Sequence, residues 1–133
     1  MLKNKFYLRI STTGMMEIKT FDPIKDDVND VIQEELNGAF YEIVHPRTLS
    51  GKFLMMVDDC GALEHLPVNS IASEIYGTKV HGCPIYGTAV IMREDIVDGE
   101  PDIVGLTDPD CDELLNEMKK IIVIRNVCTG EVV

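Results

Sequence analysis

Phe6-Tyr7-Leu8-Arg9-Ile10-Ser11-Thr12-Thr13-Gly14-Met15-Met16-Glu17-Ile18-Lys19-Thr20-Phe21 reads as two strands, residues 6–10 and 15–21, folded back on each other by Thr12-Thr13-Gly14. A connection this short permits only an antiparallel pair. Asp58-Asp59-Cys60-Gly61 marks a second tight turn, after a strand over residues 52–57. Further strands are expected at 40–44, 85–92 and 121–127. Ile121-Ile122-Val123-Ile124 is too apolar for a half-exposed strand, so it is either a central strand or a continuation of the helix before it.

Three helices interrupt these strands. The first is expected from an N-cap at Asp22 with Pro23 at the first helical position, to a stop at Gly38. Ile24, Val28, Val31, Ile32 and Leu36 form its apolar stripe. A shorter helix follows Leu66-Pro67 with Asn69 as cap; Ile71, Ala72 and Ile75 face inward and Gly77 ends it. In the third, Thr107 and Asp110 resemble a capping box. Leu114, Leu115, Met118 and Ile121 carry its stripe, and Lys119 and Lys120 are expected in its last turn, where the helix dipole favours cations. The fold class is α+β, one compact domain over residues 1–133 with a mixed or mostly antiparallel sheet and about three helices. With 133 residues, 45% of them hydrophobic, the chain can bury a core without disulfides or metal.

Charge is the strongest compositional signal. The net charge is −11, and residues 94–118 hold ten of the 23 acids and no basic residue. This argues against direct nucleic-acid binding, which needs a basic face, and against docking on an anionic membrane. No apolar run approaches the length of a bilayer span and no signal-peptide core is recognisable, so a cytoplasmic location is expected. Cys60, Cys83, Cys111 and Cys128 are too sparse for a disulfide scaffold, and free buried thiols are expected.

Cys60, His65, His81 and Cys83 have the composition of a zinc site but not the spacing of a finger or ribbon. Cys60 sits among acids, which raise a thiol's pKa and blunt it as a nucleophile, and Cys83 has no basic neighbour. Asp108-Pro109-Asp110-Cys111-Asp112 opens like a calcium loop, but Glu113 and Lys119 stand where glycine and glutamate are required. Gly82-x4-Gly87-Thr88 lacks the lysine of a phosphate loop. No catalytic residue, metal ligand or cofactor is assigned. Met15-Met16 and Met55-Met56 are adjacent pairs in strands, so one member of each is expected in the core and the other on an exposed face.

Tyr41-Glu42-Ile43-Val44-His45-Pro46, Leu54 with Val57-Asp58-Asp59, Gly61-Ala62-Leu63, Leu66-Pro67-x-Asn69 with Ala72, Ile85-x-Gly87-x-Ala89-x-Ile91 and Leu106-Thr107-Asp108 follow one another in order. In this order the chain resembles domain of unknown function family 3846, carried by phages and plasmids, over about residues 28–118. The resemblance implies a mobile-element protein of mixed α/β fold and assigns no catalytic residue. The leading functional expectation is a non-catalytic binding domain acting on host machinery. Its partner would be a basic host protein, held by Glu94, Asp95, Asp98, Glu100, Asp102 and Asp108 in imitation of a phosphate backbone. The alternative is a protein that binds or sequesters a nucleotide or signal metabolite. Asn69, Tyr76, Lys79, His81 and Tyr86 would supply amide, aromatic and cationic groups for that ligand.

Overall fold

The structure, a computed structural model, describes the backbone of residues 3–78 and 82–129, and the side chains of these up to Ile121. Strands β1 (Phe6–Ile10) and β2 (Met16–Thr20) form the expected hairpin, in register from Phe6 opposite Thr20 to Ile10 opposite Met16. The turn closes through Ser11 N–H to Met15 O at 2.9 Å and Gly14 N–H to Ser11 O at 3.1 Å, with Gly14 at φ +89°. That left-handed backbone is why a glycine ends the turn.

The remaining strands are β3 (Tyr41–Val44), β4 (Phe53–Asp58), β5 (Ala89–Val97) and β6 (Glu100–Val104). With β1 and β2 they make one antiparallel sheet in the order β2-β1-β5-β4-β3. Strand β5 is long enough to hold two partners along one edge. Its first residues pair with β1, Leu8 lying opposite Ile91, and its last five pair with β6, from Arg93–Val104 to Val97–Glu100. Phe6 and Leu106 then exchange backbone hydrogen bonds of 3.0 and 2.7 Å, which ties the chain after β6 to the start of β1.

Both faces of this sheet carry helices. Helices α2 (Ser70–Tyr76) and α3 (Asp108–Thr129) lie on one face, over Leu8, Ile10, Phe53, Met55, Val57 and Ile91. Helix α1 (Val28–Glu35) lies on the other, where Ile32 and Leu36 meet Tyr7, Leu54, Met56, Val90 and Met92. This explains the run Phe53-Leu54-Met55-Met56-Val57: a strand buried on both sides has no polar face to alternate with. It also corrects the expectation for Met55-Met56, since both are fully buried, whereas Met15 is exposed and Met16 packs against the core as expected.

Other expectations are corrected at element ends. Helix α1 starts at Val28, capped by Asp27, whose carboxylate accepts from Asn29 and Asp30 N–H. Asp22 instead caps a preceding turn, accepting from Ile24 and Lys25 N–H, so the proline-led start belongs to that turn. Ile24 is thrown outward, 90% exposed, and leaves the stripe. The segment at 121–127 continues α3 in helical backbone, which places Lys119 and Lys120 mid-helix rather than in its last turn. Strand β5 begins at Ala89, not 85. Gly87, with φ +80°, lies in the bend before it, where a Cβ would meet Leu66 Cδ1 at 2.9 Å.

Candidate functional site

The β5–β6 hairpin carries most of the acidic segment away from the core. Asp98 and Gly99 form its turn with φ of +52° and +82°, the paired left-handed conformation that a two-residue hairpin loop demands. Glu94, Asp95, Asp98, Glu100 and Asp102 are all exposed, and among the described residues none forms an ion pair. Asp95 and Asp102 are directly opposite in register, and each turns one oxygen onto the following backbone N–H, of Ile96 and Ile103, at 2.8 Å. Asp108, also exposed, stands apart from the hairpin in the first turn of α3.

Other acids are committed to the fold. Asp110 is buried and completes the capping box: its carboxylate accepts from Thr107 N–H at 2.9 Å, and Thr107 Oγ1 accepts from Asp110 N–H at 3.3 Å. The same carboxylate takes both oxygens' share of Arg93 Nη1, at 2.9 and 3.0 Å, and meets Lys52 Nζ at 3.2 Å. Burial pushes its pKa up, but these hydrogen bonds outweigh burial and hold it down at about 2. Glu113 pairs with Lys52, and Glu117 accepts from Ser50 N–H at 2.8 Å. On the opposite face Glu35 collects Tyr7 Oη at 2.5 Å, Lys19 Nζ at 2.8 Å and Arg9 Nε at 3.2 Å. Burial raises the Glu35 pKa, yet Lys19, Tyr7 and Arg9 together lower it below the usual range. The phenol of Tyr7 is pushed up by burial and by Glu35.

The residues expected to hold a small molecule are placed differently from one another. Asn69 is fully buried. Its Oδ1 caps α2 at Ala72 N–H (3.0 Å), while Nδ2 donates to Ile10 O at 3.0 Å and Gly87 O at 2.9 Å. Tyr76 ends α2, half-buried against the core. Lys79 and His81 lie outside the described residues. Tyr86 lines a cleft of about 360 Å³ with Asp58, Asp59, Gly61 and Cys83. A larger cleft of about 520 Å³ lies beside it, walled by Thr12, Glu35, Asn37, Asp58, Glu64 and Thr88. Its charged groups are all carboxylates, the wrong sign for a phosphate.

Cys60 and Cys83 are exposed free thiols, against the expectation of burial, Cys60 in a surface turn and Cys83 in irregular backbone before Pro84; Cys111 is buried in α3. Burial and the charges of Asp108, Asp110 and Asp112 raise the Cys111 thiol to about 11, which keeps it protonated. Among the described residues no group of three or more histidines, cysteines and carboxylates could hold a metal ion, and no helix is long and apolar enough to cross a membrane.

Compared with known proteins, the chain matches no family model, no curated protein and no solved structure. Its site is therefore defined by its own geometry. The strands expected from the sequence do not include this hairpin, although Asp98-Gly99 between Ile96-Val97 and Ile103-Val104 carries the signal for it. The run of acids obscured that signal, since Asp and Glu are depleted in strands.

Proposed function

We propose that the protein is a non-catalytic binding domain, working in the cytoplasm, that presents the acidic β5–β6 hairpin to a basic host protein in the manner of a phosphate backbone. One observation carries this reading: five carboxylates project from a two-stranded arm without cationic partners among the described residues, while Asp110, Glu113 and Glu35 are paired with cations inside the fold. On each strand, residues on one face repeat about every 7 Å. That is roughly twice the 3.4 Å rise between phosphates of one DNA strand, so a basic groove built for DNA can be met by carboxylates on such an arm. The resemblance to family 3846, in the order of its short pieces, supports a mobile-element origin and a host target as part of the same proposal.

The test is capture from bacterial lysate at low salt by the immobilised protein and by a variant with Glu94→Gln, Asp95→Asn, Asp98→Asn, Glu100→Gln and Asp102→Asn. The unaltered protein is expected to retain basic proteins that rising salt or added duplex DNA releases, because exposed charges are screened. Retention of the same proteins by the variant would remove the hairpin from the function. The metabolite-binding alternative retains one favourable feature, the paired clefts on either side of Asp58. It predicts a discrete ligand mass in native mass spectrometry after incubation with protein-free extract.

A further inference from the structure

Helix α1 has eight residues and is about 12 Å long, whereas the nine residues of β5 run for about 30 Å. On the α1 face the sheet therefore continues past its covering helix. Around Leu54, Met56, Val90 and Met92, which α1 packs against, the strands bring Ile43 (opposite Met56), Ile96, Pro101 and Ile103 to that same face. Ile43 is 44% exposed and Ile96 61%. Ile43, Leu54, Pro101 and Ile103 line a cleft of about 330 Å³, bordered by His45, Glu94 and Asp102.

The charges around this strip have one sign. Its lining contains two carboxylates and neither lysine nor arginine. Of the cations nearest in sequence, Lys52 and Arg93 are engaged with Asp110 on the opposite face, and Arg47 lies against Gly77 at the end of α2. Asp27, at the cap of α1, adds to the field, since its charge and that of Asp102, after burial, raise the Tyr41 phenol. An apolar floor with an acidic rim is complementary to a segment that is apolar on one side and basic on the other.

We propose that this partly uncovered strip of sheet, floored by Ile43, Ile96 and Ile103 and rimmed by Glu94 and Asp102, docks a basic amphipathic helix of the partner, laid beside α1 as a continuation of its layer. The proposal rests on the hairpin reading above and adds to it an apolar anchor. Binding then has a component that salt does not screen, because apolar burial is insensitive to charge.

The probes are two labelled Lys/Leu peptides of identical composition, one with its leucines on a single helical face and one with them scattered, titrated by fluorescence anisotropy. The one-sided peptide is expected to bind the unaltered protein at least about tenfold more tightly, the effect of burying one aliphatic side chain. An Ile43→Asn/Ile96→Asn variant is expected to reduce that preference to less than about twofold. Amide exchange on the unaltered chain gives a second reading that needs no substitution: the one-sided peptide is expected to slow residues 43–45 and 102–104. Equal binding of the two peptides, an unchanged preference in the variant, or protection confined to other segments overturns the docking strip and leaves the electrostatic reading standing. Absence of binding by either peptide at low salt overturns both. A dimer of the unaltered chain that the double substitution dissolves assigns the strip to a second copy and overturns the proposal.

Discussion

Asp95 and Asp102 face one another across the β5–β6 ladder, two carboxylates in register where a sheet ordinarily places opposite charges or an aromatic pair. Each is satisfied by a neighbouring backbone N–H rather than by a cation. The hairpin is consequently less stable than its turn and strand residues would allow, and its charge is available to a partner. On the function proposed above, binding and local stability pull in opposite directions at this pair.

Asp102→Lys converts the repulsive pair into an attractive one. It is expected to stabilise the protein by up to about 1 kcal/mol, a rise in Tm of a few degrees, while weakening capture of basic proteins. Thermal unfolding and the salt needed for elution measure the two effects on the same sample. A lower Tm would show that Asp102 is placed for the fold.

The Asp110 cluster sets the acid limit of the protein. Its carboxyl is held at about 2, below the ordinary value of 3.8, so the folded state binds a proton less readily than the unfolded chain. The stability it contributes is present above about pH 5 and is lost as pH falls through 3.8 toward 2; the shift corresponds to about 2 kcal/mol. Glu35, lowered in the same direction, adds to the slope. Asp110→Asn removes the charge that Lys52 and Arg93 share, and is expected to cost about 2–4 kcal/mol at neutral pH and to flatten the acid limb. Denaturant unfolding between pH 3 and 7 gives both quantities. A parallel acid limb in the variant would place the responsible carboxylate elsewhere.

How much of this was legible in the sequence depends on the range over which each residue is determined. Gly14 closing the first hairpin, Asn69 capping α2 and the Thr107–Asp110 box are set by neighbours three or four positions away, and all three are seen in the structure. The start of α1 was misplaced because Asp22 makes a complete local cap for a turn, and nothing local says that the chain needs five more residues before it reaches the sheet. Met56 lies in the core only because α1 crosses its face of β4, a contact between elements that no spacing rule contains. The division of the acids is of the same kind. Asp110 and Asp112 look alike in sequence, but Arg93 and Lys52 arrive at the first from β5 and from the start of β4.

The thiols separate by exposure. Cys60 and Cys83 are expected to alkylate in the native protein within minutes of adding iodoacetamide, and Cys111 only on unfolding, since burial and three nearby acids suppress its thiolate. Peptide mass spectrometry after timed quenching resolves the sites. Native-state modification of Cys111 at a rate matching Cys60 would mean that the α3 layer opens readily.

Asn69 joins three elements through one amide. Its oxygen caps α2, and its nitrogen holds the carbonyls of Ile10, at the end of β1, and Gly87, before β5, at a point with no access to water. Removing the side chain abolishes a cap and strands two buried carbonyls, so Asn69→Ala is expected to cost about 2–4 kcal/mol. Asn69→Ser retains an oxygen able to cap but lacks the two donors, and should fall between the two. Asn69→Asp keeps the shape and turns a carboxylate toward the two carbonyls; at neutral pH it should be at least as damaging as alanine, because a buried charge without a partner costs more than a missing hydrogen bond. Urea unfolding of the three variants supplies the ranking. Serine as damaging as alanine would mean that the carbonyl bonds outweigh the cap, and aspartate close to the unaltered protein would mean that the site admits water.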